Sequence, residues 1–271
     1  MPNDALGGLH ILILGGSTGI GFGTAQYLAR SGARLTVCAR RPDRLEKARA
    51  ALVADAPEAA DRITTTIADA SKPADVEKAV ALAADADGQL DGVFVTAGDA
   101  TYRPMLENTI ETVQDEFEIN MYPIVNVIHY ASPRMMRAGG SIVAVSSVAS
   151  ILSSTGIAGY GAAKAALEQY VRFAADELGE HGIRVNSVRP GLTKNGRDEQ
   201  YLDDENYLRH FKSITPLGAY GLPEDFAALV GVLLSPEARW ITGQSISIDG
   251  GFSLRGHGGG AAVVMSTRTE K

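Results

Sequence analysis

Leu9-His10-Ile11-Leu12-Ile13-Leu14-Gly15-Gly16-Ser17-Thr18-Gly19-Ile20-Gly21 joins an apolar run to a glycine-rich turn. The run, free of Gly and Pro, fits a buried parallel strand. A helix-like segment, 21–31, follows. A glycine turn set between a strand and a helix is the context in which a dinucleotide is held. Gly15, Gly19 and Gly21 permit a tight turn and close approach of a pyrophosphate, whose charge the helix N-terminus favours. Ser17, Thr18 and Ile20 belong to the same cofactor-binding turn.

Outward from this turn, short apolar runs alternate with helix-like segments, the pattern of βαβ units around a parallel sheet. Strands are predicted over 9–14, 34–39, 63–68, 92–96, 141–146, 184–188 and 245–248. Helices are predicted over 21–31, 44–54, 74–84, 111–120, 124–136, 157–179 and 224–234. This implies an α/β fold, a single doubly wound Rossmann-type domain over 1–255 with a mostly seven-stranded parallel sheet. Only 256–271 differs in composition: the run Gly256-His257-Gly258-Gly259-Gly260 opens a tail expected to be flexible, with ordering on a neighbouring subunit as the alternative.

With 271 residues, 45% hydrophobic and 21% charged, the chain has the composition of an ordinary globular protein. Its net charge of −7 argues against the broad basic footprint of nucleic-acid binding. No apolar run reaches the length of a membrane span, and Met1-Pro2-Asn3-Asp4 lacks a basic secretory start, so the expected location is cytoplasmic. Cys38 is the only cysteine and reads as a small core residue. His10, His129, His181, His210 and His257 show no metal-ligand spacing, and no metal is expected.

Tyr160 and Lys164 are four residues apart on a predicted helix and therefore share a face. An ordinary tyrosine, with a pKa of about 10, is a poor acid or base at neutral pH. A lysine ammonium beside the ring oxygen favours the phenolate, which gives the spacing a chemical purpose. With Ser147 upstream in Val145-Ser146-Ser147-Val148 and the G-x-x-x-G-x-G turn, the chain resembles the short-chain dehydrogenase/reductase family over about 9–251. The resemblance makes Tyr160 the acid/base at the substrate oxygen and Ser147 the hydroxyl that orients that oxygen. It gives Lys164 two partners, the tyrosine and the nicotinamide ribose. Asn120 matches the family asparagine that organises a water in a proton relay. Ser146 competes with Ser147, but the family spacing to the tyrosine selects Ser147.

Cofactor choice is written at the end of the second strand, in Val37-Cys38-Ala39-Arg40-Arg41. Ala39 stands where an acid would grip the ribose of NAD. Arg40, and after it Arg41, offers a planar fork for a 2′-phosphate, so NADP(H) is expected in preference to NAD(H). Thr18 is not the further basic residue that many NADP-dependent relatives carry, which implies a modest preference. Asp69-Ala70 matches the pair that contacts the adenine ring. Val95-Thr96-Ala97-Gly98 departs from the family's N-N-A-G: the small Ala97-Gly98 corner is kept and both asparagines are lost. Pro190, Gly191 and Thr193 match the segment that frames the nicotinamide, and Asn195 stands where a threonine is frequent.

The polar stretch 195–214 is the expected substrate lid, although a solvated helix accounts for its charges equally well. The implied function is interconversion of a carbonyl and a secondary alcohol on a small, lipid-like or steroid-like substrate. A 3-oxoacyl-carrier-protein reductase ranks lower: Asp176, Glu177 and Glu180 disfavour an acidic carrier, while Arg134 and Arg137 favour one. A non-catalytic dinucleotide-binding regulator is the alternative from another class. Ile241-Thr242-Gly243-Gln244 and Asp249-Gly250-Gly251 match the family's final strand, which implies a homotetramer or homodimer.

Overall fold

The computed structural model describes residues 4–194 and 204–255. Seven strands, β1 (His10–Leu14), β2 (Arg34–Ala39), β3 (Ile63–Ile67), β4 (Gly92–Val95), β5 (Gly140–Val145), β6 (Ile183–Pro190) and β7 (Ser245–Ile248), form one sheet. Their order is β3-β2-β1-β4-β5-β6-β7, and every neighbouring pair is parallel. The order reverses between β1 and β4, where Leu14 pairs with both Cys38 and Val95. A crevice opens at such a switch point, beyond the carboxyl ends of the strands.

The helices are α1 (Gly19–Arg30), α2 (Pro42–Asp55), α3 (Pro73–Ala83), α4 (Ile110–Asn120), α5 (Tyr122–Met135), α6 (Ala158–Leu178), α7 (Glu205–Ile214), α8 (Glu224–Leu234) and the short α9 (Phe252–Arg255). The two-residue period of each strand sorts side chains into two layers. Ile11 and Ile13 pack with Leu28 of α1, Leu52 of α2 and Val230 of α8, while Leu12 and Leu14 pack with Val76 of α3, Val127 of α5 and Val171 of α6. Both faces of the sheet are covered, which explains the near-continuous apolar strands. Close approach of α1 and α8 needs Gly231, where an added Cβ would lie 2.6 Å from the Tyr27 ring. Among the described residues no helix is long and apolar enough to cross a membrane.

The seven strands lie within a residue or two of their expected places. The largest difference is β6, which extends to Pro190 because Arg189 and Pro190 pair with Ser247 and Ile248 of β7. Part of the expected lid, 204–214, is the helix α7 with its start; its N-cap Asp204 accepts from the amides of Asn206 and Tyr207 at 2.9 and 3.1 Å. Residues 195–203, with Asn195, and the tail 256–271 lie outside the described residues.

Candidate active site

The glycine turn closes directly onto the sheet: the amides of Gly15 and Gly16 both donate to the Cys38 carbonyl at 3.0 Å. Gly15 has φ +95°, a conformation that favours glycine, and a side chain there would run into Thr96. At Gly21 a Cβ would collide with the Gly15 carbonyl, so the turn and the first coil of α1 can approach only as glycines. Thr18 is the N-cap of α1 and makes no side-chain cap.

Thr96, which replaces a family asparagine, has a visible task. Its hydroxyl donates to the Gly15 carbonyl at 2.8 Å, tying the end of β4 to the turn after β1. One cleft is lined by Gly15, Ser17 and Thr18, by Arg40 and Arg41, by Asp69 and Ala70, and by Ala97 and Gly98. These nine expected cofactor residues come together from four strand ends. Gly19, Ile20 and Gly21 do not line the cleft; they start α1 behind it.

The arginines divide. Arg41 donates to both oxygens of Asp43, at 3.2 and 2.7 Å, which occupies its fork. Arg44, in the first coil of α2, lines the cleft beside Arg40 and was missed in the sequence. The Asp69 carboxylate accepts from the Ser71 amide at 2.9 Å, and Asn126 of α5 holds the Ala70 carbonyl at 3.0 Å, so this corner is braced.

Tyr160 and Lys164 sit in the first half of α6, with the lysine ammonium 5.7 Å from the tyrosine ring centre. Lys164 is only 2% exposed, and Nζ donates to the Val145 carbonyl at the end of β5 at 2.9 Å. Burial pulls its pKa down from 10.5 to about 8, with the charge of Glu116 pulling the other way. Gly98 leaves the room for this lysine: a Cβ there would lie 2.9 Å from Nζ and 2.8 Å from Asn120 Oδ1.

Ser146 and Ser147 have different surroundings. The buried Ser146 hydroxyl donates to Glu168 Oε1 at 2.7 Å. Half-buried Ser147 caps the short turn 148–150, accepting from the Ala149 amide at 3.1 Å. Ser150 and Arg189 also bind Glu168. Burial pushes the Glu168 carboxyl up, but hydrogen bonds from Arg189, Ser150 and Ser146 outweigh it and hold it below the usual range.

Asn120 is fully buried at the end of α4, and its amide is spent on the protein. Nδ2 donates to the Asp99 carbonyl at 2.6 Å and to Glu116 Oε2 at 2.9 Å, while Oδ1 accepts from the Asp99 amide at 3.0 Å. Pro190 and Gly191 end β6, and the Gly191 amide reaches the Ile248 carbonyl at 3.2 Å. Thr193 is buried and turns its hydroxyl back to the Gly191 carbonyl at 3.0 Å. None of these three lines the cleft at the glycine turn. Arg134, Arg137, Asp176, Glu177 and Glu180 fall late in or just after α5 and α6, which return the chain to the amino ends of β5 and β6. They stand at the opposite end of the strands from the glycine turn.

Comparison with known proteins places the same features in a family. A family model described as Enoyl-(Acyl carrier protein) reductase matches residues 15–253. A tropinone reductase homolog of Arabidopsis thaliana is 33% identical over 254 residues, covering 93% of this chain and 95% of that protein. L-rhamnose 1-dehydrogenase (NAD(P)(+)) of Sphingomonas sp. (strain SKA58) is 32% identical over 251 residues, covering 91% and 97%. Among solved structures, a short-chain type dehydrogenase/reductase from Mycobacterium ulcerans superposes with a TM-score of 0.87 at 32% identity, covering 92% of this chain and 91% of the other. Levodione reductase superposes with a TM-score of 0.83 at 32% identity, covering 90% and 97%. The chain belongs to the short-chain dehydrogenase/reductase family and is an NAD(P)-dependent oxidoreductase.

Proposed function

We infer that this enzyme prefers NADP(H) and interconverts a carbonyl and a secondary alcohol, with Tyr160 as its acid/base. The observation that carries this reading is the buried ammonium of Lys164, one helical turn beyond Tyr160 and 5.7 Å from its ring centre. A nearby positive charge favours the phenolate, and a tyrosine so placed can exchange its proton at neutral pH.

The cleft suits a dinucleotide phosphate. The glycine cradle at Gly15 and Gly21 has no room for a Cβ, and Ser17, Thr18, Arg40 and Arg44 supply donors. When bound, the nicotinamide cofactor supplies or accepts the hydride at the substrate carbon. Tyr160 gives its proton to the substrate oxygen in reduction and takes one in oxidation. Ser147 orients that oxygen and stabilises its developing charge. The Asn120 amide locks the loop after β4 onto α4, and in the family pattern Asn120 organises the relay water.

Exposed apolar side chains near Tyr160 accord with an apolar substrate. Tyr102, Met105, Leu106 and Ile151 are all exposed, and the Arg103 amide binds the Gly156 carbonyl at 2.6 Å, setting this loop beside the segment that leads into Tyr160. Relatives named for the reduction of tropinone and levodione accord with that choice. Cofactor oxidation and reduction across a panel of cyclic, aliphatic and steroid-like ketones and alcohols tests the reading. Turnover of acyl-carrier substrates alone would favour the carrier reductase, and tight cofactor binding with no turnover would favour the regulator. The single, buried Cys38, whose thiol burial pushes up to about 12, accords with a cytoplasmic location.

Arg40→Ala is expected to weaken NADP(H) use by about 10- to 100-fold, the worth of one charged hydrogen-bond set, and to leave NAD(H) use nearly unchanged. Arg41→Ala should do less, because that guanidinium already serves Asp43. Catalytic efficiencies with both cofactors decide it; equal losses with the two, or a wild-type preference for NAD(H), would remove Arg40 from this role. The final strand implies a homotetramer or homodimer, so scattering in dilute solution should return a multiple of 28.5 kDa. An active monomer would reject that assembly.

A further inference from the structure

Glu116 lies one turn before Asn120 on α4 and has no part in the family pattern described above. It is only 4% exposed, and its two oxygens are divided between elements. Oε1 accepts from the Thr101 amide at 2.9 Å, and Oε2 accepts from Asn120 Nδ2 at 2.9 Å. Its stem fills the place left by Gly159, the residue before Tyr160: a Cβ at 159 would lie 3.1 Å from Glu116 Cγ. Asn120 and Lys164 in turn meet around Gly98.

Withdrawing a carboxylate from water is costly unless a positive charge accompanies it, and two neutral donors supply none. Lys164 is the matching cation, equally buried, and the Glu116 charge favours its proton against the effect of burial. The other ionisable groups around the lysine are differently engaged. Asp99, in the loop after β4, turns its carboxylate to the Ala100 amide at 3.0 Å. Glu168, the next turn of α6, is gripped by Arg189 of β6 at 2.6 and 2.7 Å. Tyr160 faces the lysine from α6 itself, and β5 offers only the neutral Val145 carbonyl.

We propose that Glu116 is a positioning residue whose buried carboxylate keeps Lys164 protonated and clamps the Asn120 amide, and so sets the pH up to which Tyr160 has an ammonium neighbour. The proposal rests on the reading of Tyr160 and Lys164 as the proton-handling pair. Glu116 touches neither substrate nor cofactor and acts through these residues.

Nitrogen-15 NMR of the Lys164 side chain against pH, in the full chain and assigned through Lys164→Met, reads the effect without any substrate. Glu116→Gln, of nearly the same shape but uncharged, is expected to move the Lys164 titration down by about one pH unit or more. Glu116→Asp keeps the charge and should leave it within about half a unit. An unmoved titration in Glu116→Gln, or an equal shift in Glu116→Asp, would overturn the proposal. Should Glu116→Gln not fold, Glu116→Met replaces it with the same expected shift. The measurement is independent of turnover. Retained activity in Tyr160→Phe would defeat the catalytic reading and leave the lysine shift standing, whereas an unmoved lysine beside an inactive Tyr160→Phe would defeat only the role of Glu116.

Discussion

Tyr160→Phe should lower turnover by about 10³-fold, the scale of a lost general acid/base, and leave cofactor affinity within about twofold. The substitution removes one hydroxyl and keeps the ring against which the Lys164 ammonium sits. Turnover with the best ketone of the panel, measured together with cofactor binding by fluorescence, checks both halves. Activity within about tenfold of wild type would show that the proton travels by another route. Loss of binding together with turnover would mean that the hydroxyl also supports the cofactor site.

Lys164→Ala should damage both quantities, because in the proposed mechanism this side chain serves the tyrosine and the ribose. Turnover is expected to fall by at least about 10²-fold, and cofactor binding to weaken by about tenfold or more, the scale of a charged hydrogen bond. Unchanged cofactor affinity would count against the double role. The same lysine gives the wild type a pH dependence of definite sign. With its pKa at about 8, it is an ammonium below that pH and a neutral amine above it, so ketone reduction should decline as pH rises through about 8. The residual activity of Lys164→Ala should lack that alkaline decline. A wild-type rate that holds level to pH 10 would show that the charge on this lysine is not needed.

The fold was readable because its strands are covered on both faces and bounded by glycine, proline and polar residues. The errors at element ends have particular causes. α2 and α3 begin at Pro42 and Pro73, residues that read as breakers although proline suits the first position of a helix. β6 runs on through Pro190 because its continuation depends on β7, more than fifty residues further along. In the site, the residues legible beforehand were those with fixed local spacing: the glycine turn, the Tyr160/Lys164 pair and the Ala97-Gly98 corner. Glu116, Thr96 and Arg44 were missed because each owes its place to tertiary approach. Thr96 meets a carbonyl 81 residues away, and Glu116 faces a helix whose sequence says nothing about it. A clue to Glu116 existed in its i, i+4 relation to Asn120, the same spacing that drew attention to the tyrosine and lysine. The acids and arginines weighed for carrier docking could not be placed from the sequence, because a charge count carries no direction until the strands fix which end of the sheet each loop occupies.

The burial of Lys164 also has a consequence for the folding equilibrium. In the unfolded chain this amine keeps its proton up to about 10.5, whereas in the folded protein it releases it at about 8. Between those values the unfolded state binds the extra proton, so the contribution of this group to stability rises with pH and is at its lowest below 8. At about 1.4 kcal/mol per pH unit, a charged Lys164 costs the native state about 3 kcal/mol at neutral pH, a sizeable share of the net stability of a domain. The enzyme is therefore least stable, as far as this side chain is concerned, in the same protonation state that the proposed role of Tyr160 requires.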